Sequence, residues 1–479
     1  MKKFTYVLFI LPFVLGFCGL LSAGDNSILD AAFWSLQMYF LNYEESAPNL
    51  AVEIARWIAP LVTAGGILAF FMRYLMAARN FLRRLRFPKD NVAIFGETSE
   101  ADFLRKVYAD RLVLWQDKEF VKASRYVLFD TEERNLEFYA LHRQELKDSP
   151  VCLLCDSFKT QDFAGDMIRP FHFEETAARL FWHRHSLYPV AKQNNFCLTI
   201  AIMGFDSLGQ ELLLRGLQDN IFHEKQQVEY HVFGTEEQMK EFSNLYHQIP
   251  MLSDRVIYHK NLFDHLDTIA KANRVIVAQQ EGQMDLIQKL LFACGDIQIH
   301  VLSMVTDGLS LLEAQENLTV FDWKKEILNE EYLFADTLYD QAKRINMRYA
   351  QIYFGAEDTP ENRQLEWNKL NSFTKYSNIS AADYHHIRKE MLRDWGFDVD
   401  AKDFTVKQLS AEQLETLAHL EHIRWCRYHY LANWKYGKPE NGKAKDPVAR
   451  IHADLVPYEE LSEIDKEKDR ENIRVLLSV

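Results

Sequence analysis

Two apolar stretches near the N-terminus constrain this chain of 479 residues more than any other feature. Residues 4–24, FTYVLFILPFVLGFCGLLSAG, carry no charge. A helix rising ~1.5 Å per residue over such a run matches a hydrocarbon core of about 30 Å. Lys2, Lys3 and the small residues Ser22 to Gly24 are also ingredients of a cleaved signal peptide. The length of the run and the presence of a second span favour a retained helix. That second run has its apolar core from Trp57 to Met72, and reaches spanning length when Glu53 and Arg56, an i, i+3 pair, sit at the interface. Arg73, Arg79, Arg83, Arg84 and Arg86 follow it, whereas the intervening loop carries Asp25, Asp30, Glu44 and Glu45 without a Lys or Arg. The positive-inside rule then predicts an inner-membrane protein with two spans and both termini cytoplasmic.

Between the runs lies ILDAAFWSLQMYFLNYEE, too short to cross alone and long enough for a re-entrant or interfacial helix. Two spans with a half-helix between them resemble the pore module of two-helix ion channels. The Thr-Val-Gly-Tyr-Gly type of filter is absent from the sequence. Glu44 and Glu45 would instead form carboxylate rings in a homo-oligomer, a dimer or tetramer; the alternative is a solvated acidic loop over a membrane anchor. Ala64-Gly65-Gly66 permits either close helix packing or a bend. The net charge of −14 offers no overall basic field for nucleic acid, so lipid and a small molecule are the expected partners. Six scattered cysteines do not form a disulfide framework, and Cys152 with Cys155 reads as a buried strand in preference to a zinc or redox pair.

After the hairpin (1–87), residues 88–194 alternate strands (DNVAIFG, LVLWQ, RYVLFD, VCLLCDSF) with helices, which predicts a parallel sheet covered on both faces. The layout resembles the Rossmann-like nucleotide-binding regulatory domains attached to potassium channels and transporters. That family holds a pyrophosphate on a Gly-x-Gly-x-x-Gly turn; here only Gly96 remains, followed by Glu97 and Glu100, so dinucleotide binding is not expected in this unit. Residues 195–328 repeat the pattern as a five-stranded doubly wound sheet. Gly204 and Gly209 bracket its turn, Asp206 stands where the middle glycine would be, and Glu236 is the one acid placed for a ribose. A nucleotide or an NAD-like ligand is the candidate cofactor there, against a degenerate scaffold used for dimerisation.

From about residue 329 the apolar period turns helical through to 479. LEHIRWCRYHYLANWKYG, at 420–437, concentrates Glu421, His422, Arg424 and Trp425 on adjoining faces of one helix. Arginine forks onto phosphate or carboxylate and tryptophan stacks on a flat ring, so the surface suits a flat anion. The structural alternative is a buried amphipathic helix with an internal Glu421–Arg424 pair. SNISAAD, at 377–383, reads as a capped helix start, and residues 459–474 as a solvated helix face. Glu421-His422-Arg424-Trp425, Trp434-Lys435-Tyr436-Gly437, and His452 with Leu455-Val456-Pro457-Tyr458 resemble, in this order, the RyR domain, the helical repeat named after ryanodine receptors, over roughly 335–479. The family commonly has a glycine where this chain has Asn433. The resemblance implies a small-ligand sensing module with nucleotide-like ligands. Arg424 and Lys443 would meet phosphates, Trp425, Trp434 or Tyr458 would stack, Asn378, Asp383 or Glu421 would bond a ribose or base edge, and Tyr436 and His452 belong to the motif.

The expected architecture is therefore a membrane hairpin, tandem α/β doubly wound domains and an all-α C-terminal domain. The expected function is a ligand-gated ion channel; the alternative is a non-conducting membrane-tethered subunit of a transporter or defence complex. No Ser-His-Asp set, metal cluster or carboxylate pair supports catalysis, so the chain is not expected to be an enzyme.

Overall fold

In the computed structural model, residues 2–24, 26–115, 120–155, 167–295, 297–303, 317–335, 337–401, 404–440 and 442–478 are described. Contacts divide them into two compact units, one of residues 1–94 and 105–125 and the other of residues 95–104 and 126–479.

In the first unit, helices Lys2–Ser22, Ile28–Met38 and Leu50–Arg86 follow one another. Leu50–Arg86 is long and apolar enough to cross a membrane, and Phe9–Ser22 is a shorter apolar stretch. Trp57, Leu61, Leu68, Phe70 and Phe71 project outward from the long helix, the arrangement expected of residues facing hydrocarbon. Glycine sets how closely the helices approach. A Cβ on Gly19 would lie 2.7 Å from Val52 Cγ2, and one on Gly66 3.1 Å from the Phe9 ring, while Gly65 faces open space. Of the two roles open to Ala64-Gly65-Gly66, close packing is therefore served by Gly66. The Ile28–Met38 helix is capped by Ser27 and buries Ala31, Ser35 and Met38. Glu44 and Glu45, the candidate ring carboxylates, are exposed in the segment before Leu50. The same unit holds β1 (Val92–Phe95) up to Ile94, paired in parallel with β2 (Leu112–Val113).

The second unit contains β3 (Arg125–Leu128), β4 (Val151–Leu154) and β5 (Ile168–Phe171), in parallel register through β4. Cys152 is buried inside β4 and Cys155 just beyond it. Next comes a six-stranded parallel sheet in the order β11-β10-β9-β6-β7-β8. Its strands are β6 (Cys197–Met203), β7 (Gln227–Phe233), β8 (Arg255–His259), β9 (Arg274–Val277), β10 (Ile299–Ser303) and β11 (Leu318–Asp322). The expected sheet of five is thus corrected to six. LTVFD, at 318–322, completes the sheet by pairing along all of β10. Both faces are covered, so Ala201, Val275, Val277 and Val301 are fully buried, as a near-continuous apolar strand pattern requires. These two Rossmann-like α/β regions are followed by helices, among them Thr337–Phe354, Ser372–Asp383, His385–Asp394, Ala411–Leu431 and Glu463–Leu476. Between the last two lies a small sheet of β12 (Lys435–Tyr436), β13 (Lys445–Asp446) and β14 (Ile451–His452). The 372–383 helix starts five residues before SNISAAD, because Asn371 caps it by accepting from the Thr374 N–H.

Buried charge fastens the C-terminal helices to the six-stranded sheet region. Arg427 places Nη1 2.6 Å from Asp254 Oδ2 and Nη2 2.8 Å from Oδ1, and also donates to Leu217 O at 2.9 Å. Arg179, from the Phe173–Arg184 helix, clasps Asp383 through Nε and Nη2 at 2.7 and 2.9 Å. The Tyr384 hydroxyl donates to Ile221 O at 2.8 Å.

Candidate functional site

The 411–431 helix starts at a capping box formed by Ser410 and Gln413, and its last turns carry the residues from which a flat-anion site was expected. Its two faces have different fates. Glu421 and Arg424 turn inward, where Arg424 Nε and Nη2 donate to the two Glu421 oxygens at 2.9 and 2.6 Å. Arg388 Nη2 donates to the same carboxylate, and Arg424 Nη1 donates to Ser380 Oγ at 2.9 Å. Burial opposes the Glu421 charge, but the two guanidiniums outweigh it and hold the carboxyl at about 2. With its oxygens filled, this triad is a structural element, and the ligand roles expected of Glu421 and Arg424 do not fit the geometry. Asp383 is likewise taken by Arg179, and the Tyr458 hydroxyl donates to Glu415 at 3.0 Å with its ring stacked on His419. Asn378 is half-buried on the 372–383 helix and Tyr436 is half exposed on β12.

The other face opens on a cavity of about 440 Å³ lined by His422, Trp425, Lys443 and His452, four of the expected residues. Lys445, Asp454, Asp465, Lys468, Asp469 and Asn472 complete the polar lining. His422 Nδ1 lies 3.1 Å from Asp469 Oδ2 and Nε2 lies 2.8 Å from Val456 O. A backbone carbonyl only accepts, so the geometry calls for both nitrogens to donate. Burial works against that charge, yet the bonds to Asp469 and Cys426 outweigh it and lift the imidazole to about 10. Burial pushes the Asp469 carboxyl up while His422 pulls it down. The two acceptors around one ring, Asp469 Oδ2 and Val456 O, make the pair an imidazolium and a carboxylate. His422 is therefore a fixed positive wall of the cavity, with no nitrogen left for a ligand.

His452 has the opposite character. Its Nδ1 accepts the Asp454 backbone N–H at 3.1 Å, which puts the ring proton on Nε2, and burial lowers its pKa. Trp425 packs between the rings of His429 at 4.0 Å and His452 at 4.8 Å. Lys468 is balanced by Asp465 at 2.6 Å, and Lys445 is exposed at the rim. The cavity thus combines a half-buried indole, a neutral imidazole donor and three lysines with three aspartates, two of which, Asp465 and Asp469, are already paired with Lys468 and His422.

Lys445, Lys468, Asp469 and Asn472 escaped the sequence reading, which took 459–474 as a solvated face. The available signal was spacing: Asp465, Lys468, Asp469 and Asn472 at i, i+3, i+4 and i+7 mark one polar stripe on the 463–476 helix. Asn433 keeps the left-handed backbone that glycine commonly supplies, with φ +60°, and Asn is among the few side chains that tolerate it. Trp434 does not reach this cavity; it packs on Phe373 and lines a different one.

In the six-stranded region a crevice of about 730 Å³ lies beyond the carboxyl ends of β6, β7 and β9, the usual nucleotide position of a doubly wound sheet. Gly204, Asp206 and Gln238 line it; Gly209 and Glu236 do not. The glycines are explained by packing. A Cβ on Gly209 would stand 2.0 Å from Gly204 O, and one on Gly204 (φ +92°) 2.6 Å from the Gln279 nitrogen. Asp206 accepts the Gly209 N–H at 3.3 Å and so places a carboxylate at the helix N-terminus, where a pyrophosphate would bind. Glu236 sits outside the crevice because Thr235 caps the next helix and Lys260 pairs with the carboxylate at 2.6 Å. The fold is compatible with a nucleotide-like ligand, but the expected trio of Gly204, Gly209 and Glu236 does not assemble around one. Among the described residues no group of three or more His, Cys, Asp or Glu side chains is placed to hold a metal ion.

Residues 397–479 match the RyR domain family. That is shorter than the 335–479 expected, and the 337–354, 372–383 and 385–394 helices fall outside the match. No curated protein matches the chain. Among solved structures the chain is similar to a D-lactate dehydrogenase from Treponema pallidum, at 12% identity and a TM-score of 0.22, over 64% of this chain and 97% of that one. That protein is an enzyme, so the expectation that this chain is none is withdrawn. A likeness at this TM-score carries no argument about an activity here.

Proposed function

We propose that the RyR domain at 397–479 senses a flat, anionic, nucleotide-like molecule in the cavity between the 411–431 and 463–476 helices. In this reading it regulates ion flow through a membrane hairpin formed by residues 1–87, with both termini cytoplasmic. The observation that carries the sensing step is the lining: Trp425 and a neutral His452 beside Lys443, Lys445 and Lys468. The long apolar helix Leu50–Arg86, with arginines in its last turn, supports the membrane assignment. Regulation requires that the ligand bind one conformation more tightly than another, since equal affinity for both shifts nothing.

The test has two stages. Calorimetry on the detergent-solubilised full chain with adenine and guanine nucleotides should give binding that Trp425→Ala and Lys468→Glu weaken at least about five-fold. Liposome flux with the same nucleotide should then report conductance. Binding without flux would replace the channel by the non-conducting tethered subunit. Flux with unchanged ion preference in Glu44→Gln/Glu45→Gln would remove the carboxylate rings.

A further inference from the structure

Two uncharged N–H donors face the cavity between the 411–431 and 463–476 helices. The first is the amide of Asn472, a half-buried residue of its lining. The Tyr349 hydroxyl donates to Asn472 Oδ1 at 3.0 Å. Tyr349 belongs to the Thr337–Phe354 helix and is not part of the lining, so it claims the amide oxygen from outside the cavity. The Nδ2 end of the planar amide is left for the cavity. The second donor is His452 Nε2, which carries the ring proton because Nδ1 accepts the Asp454 N–H. Among the described residues neither Asn472 Nδ2 nor His452 Nε2 meets an acceptor, and neither nitrogen is sealed from the surface.

The acceptors divide differently. Asp465 is held by Lys468 and by the Ser462 hydroxyl, both at 2.6 Å, and Asp469 by His422. Asp454 stays open: the basic group within reach of it among the described residues is His452 Nδ1, 4.0 Å away and already accepting an N–H. Lysine ammonium groups are point charges on flexible stems and hold a phosphate as readily as a ring atom. Directional choice therefore falls to two N–H donors and one carboxylate, beside the Trp425 indole.

A lactam edge matches that set. Its carbonyl oxygen has two lone pairs for two donors, and its neighbouring N–H suits a carboxylate. Guanine adds a second N–H next to the first, which the other carboxylate oxygen accepts. The equivalent edge of adenine is reversed, with an amino group beside one ring acceptor, and leaves one of the two protein donors without a partner. We propose, resting on the nucleotide reading of this cavity, that it selects a flat ring with a lactam edge, best met by guanine, and that Asn472 reads the carbonyl. Tyr349 is a positioning residue, which touches no ligand and keeps the Asn472 amide from turning over. Base selection thus depends on a helix outside the 397–479 match.

The test is calorimetry on the full chain in detergent with guanosine and adenosine monophosphates, which share ribose and phosphate and differ in the base. The guanine nucleotide should bind at least about ten-fold tighter. Asn472→Asp keeps an oxygen for Tyr349 and turns a second oxygen toward the ring, so it should lower the guanine-to-adenine ratio at least about ten-fold. Tyr349→Phe should lower the ratio too, whereas a merely structural tyrosine would weaken both nucleotides alike. Lys468→Glu should weaken both and leave the ratio unchanged. If Asn472→Asp does not fold, Asn472→Ser, which removes the amide donor, must lower the ratio in its place. Equal affinity for the two nucleotides, or a ratio unmoved by substitution at Asn472, would overturn the lactam assignment and leave the nucleotide reading standing. Binding of neither nucleotide would overturn both.

Discussion

Replacing Arg427 by methionine is expected to destabilise the second unit severely, and the reason can be worked through bond by bond. The pair it forms with Asp254 is almost wholly buried, with side chains 3% and 0% exposed. Methionine fills much of the volume but removes two bonds to Asp254, one to Leu217 O and one to Ser253 Oγ. Asp254 keeps only the Gln226 amide, at 3.2 Å. Breaking a buried ion pair from one side costs about 3–5 kcal/mol, because the remaining charge has neither water nor a partner. Removing both charges together is far cheaper, since it also removes the desolvation that the pair had to overcome. Arg427→Met/Asp254→Leu should therefore recover most of the loss, and the two single effects should fail to add by about 2 kcal/mol or more. Urea unfolding of the full chain in detergent, followed by far-ultraviolet circular dichroism, gives all four corners of the cycle. A single-variant loss below about 1 kcal/mol, or a double variant as unstable as the sum of the singles, would refute the view that this pair fastens the C-terminal helices to the sheet.

The remaining expectations concern smaller perturbations. His422 has a folded pKa of about 10 against an unfolded value of about 6.5, so its contribution is complete below pH 6.5 and disappears as pH rises through 10. The melting temperature should accordingly fall between pH 7 and 10, and His422→Gln should flatten that slope; an identical slope in both proteins would contradict the imidazolium assignment. Trp425→Ala should cost about 1–3 kcal/mol of nucleotide affinity if the indole stacks on the ligand, with loss of folding instead of affinity as the contrary result. Gly209→Ala forces a Cβ to within 2.0 Å of Gly204 O and should lower stability by about 1–3 kcal/mol, whether or not any nucleotide is present. Asn433→Gly should preserve the turn yet lose the bond to Leu245 O, giving a smaller drop in melting temperature than Asn433→Ala, which adds backbone strain.

What the sequence disclosed and what it hid follow from the range of the interactions involved. Periodicity is local, so the strands VAIF, CLTIAIM and RVIV and the long apolar helix could be read directly, because each depends on its own apolar pattern. β11 was hidden, since LTVFD becomes a strand only through pairing with β10. Within the RyR segment, spacing placed Glu421 and Arg424 on one stripe and His422 and Trp425 on the next. It could not say which stripe faces inward. That is settled by Arg388, 33 residues away, which turns Glu421 into the centre of a buried triad, and by Asp469, which fixes His422 as a charge. Polar residues that look like ligands in a sequence are often already one another's ligands in the fold, and only a cavity distinguishes the two cases.

The placement of these groups along one helix has a further consequence. Trp425 faces the proposed anion cavity, whereas Arg427, two residues on, is locked to the sheet region. A rotation of the 411–431 helix that improved contact with a ligand would necessarily strain that pair, because the helix is continuous and has no proline. A ligand shifts such an equilibrium only by its differential affinity for the two states. The Arg427→Met/Asp254→Leu variant, in which the helix is no longer pinned to the sheet region, should therefore bind nucleotide with a different affinity from the parent chain, and an unchanged affinity would show that the helix does not move on binding.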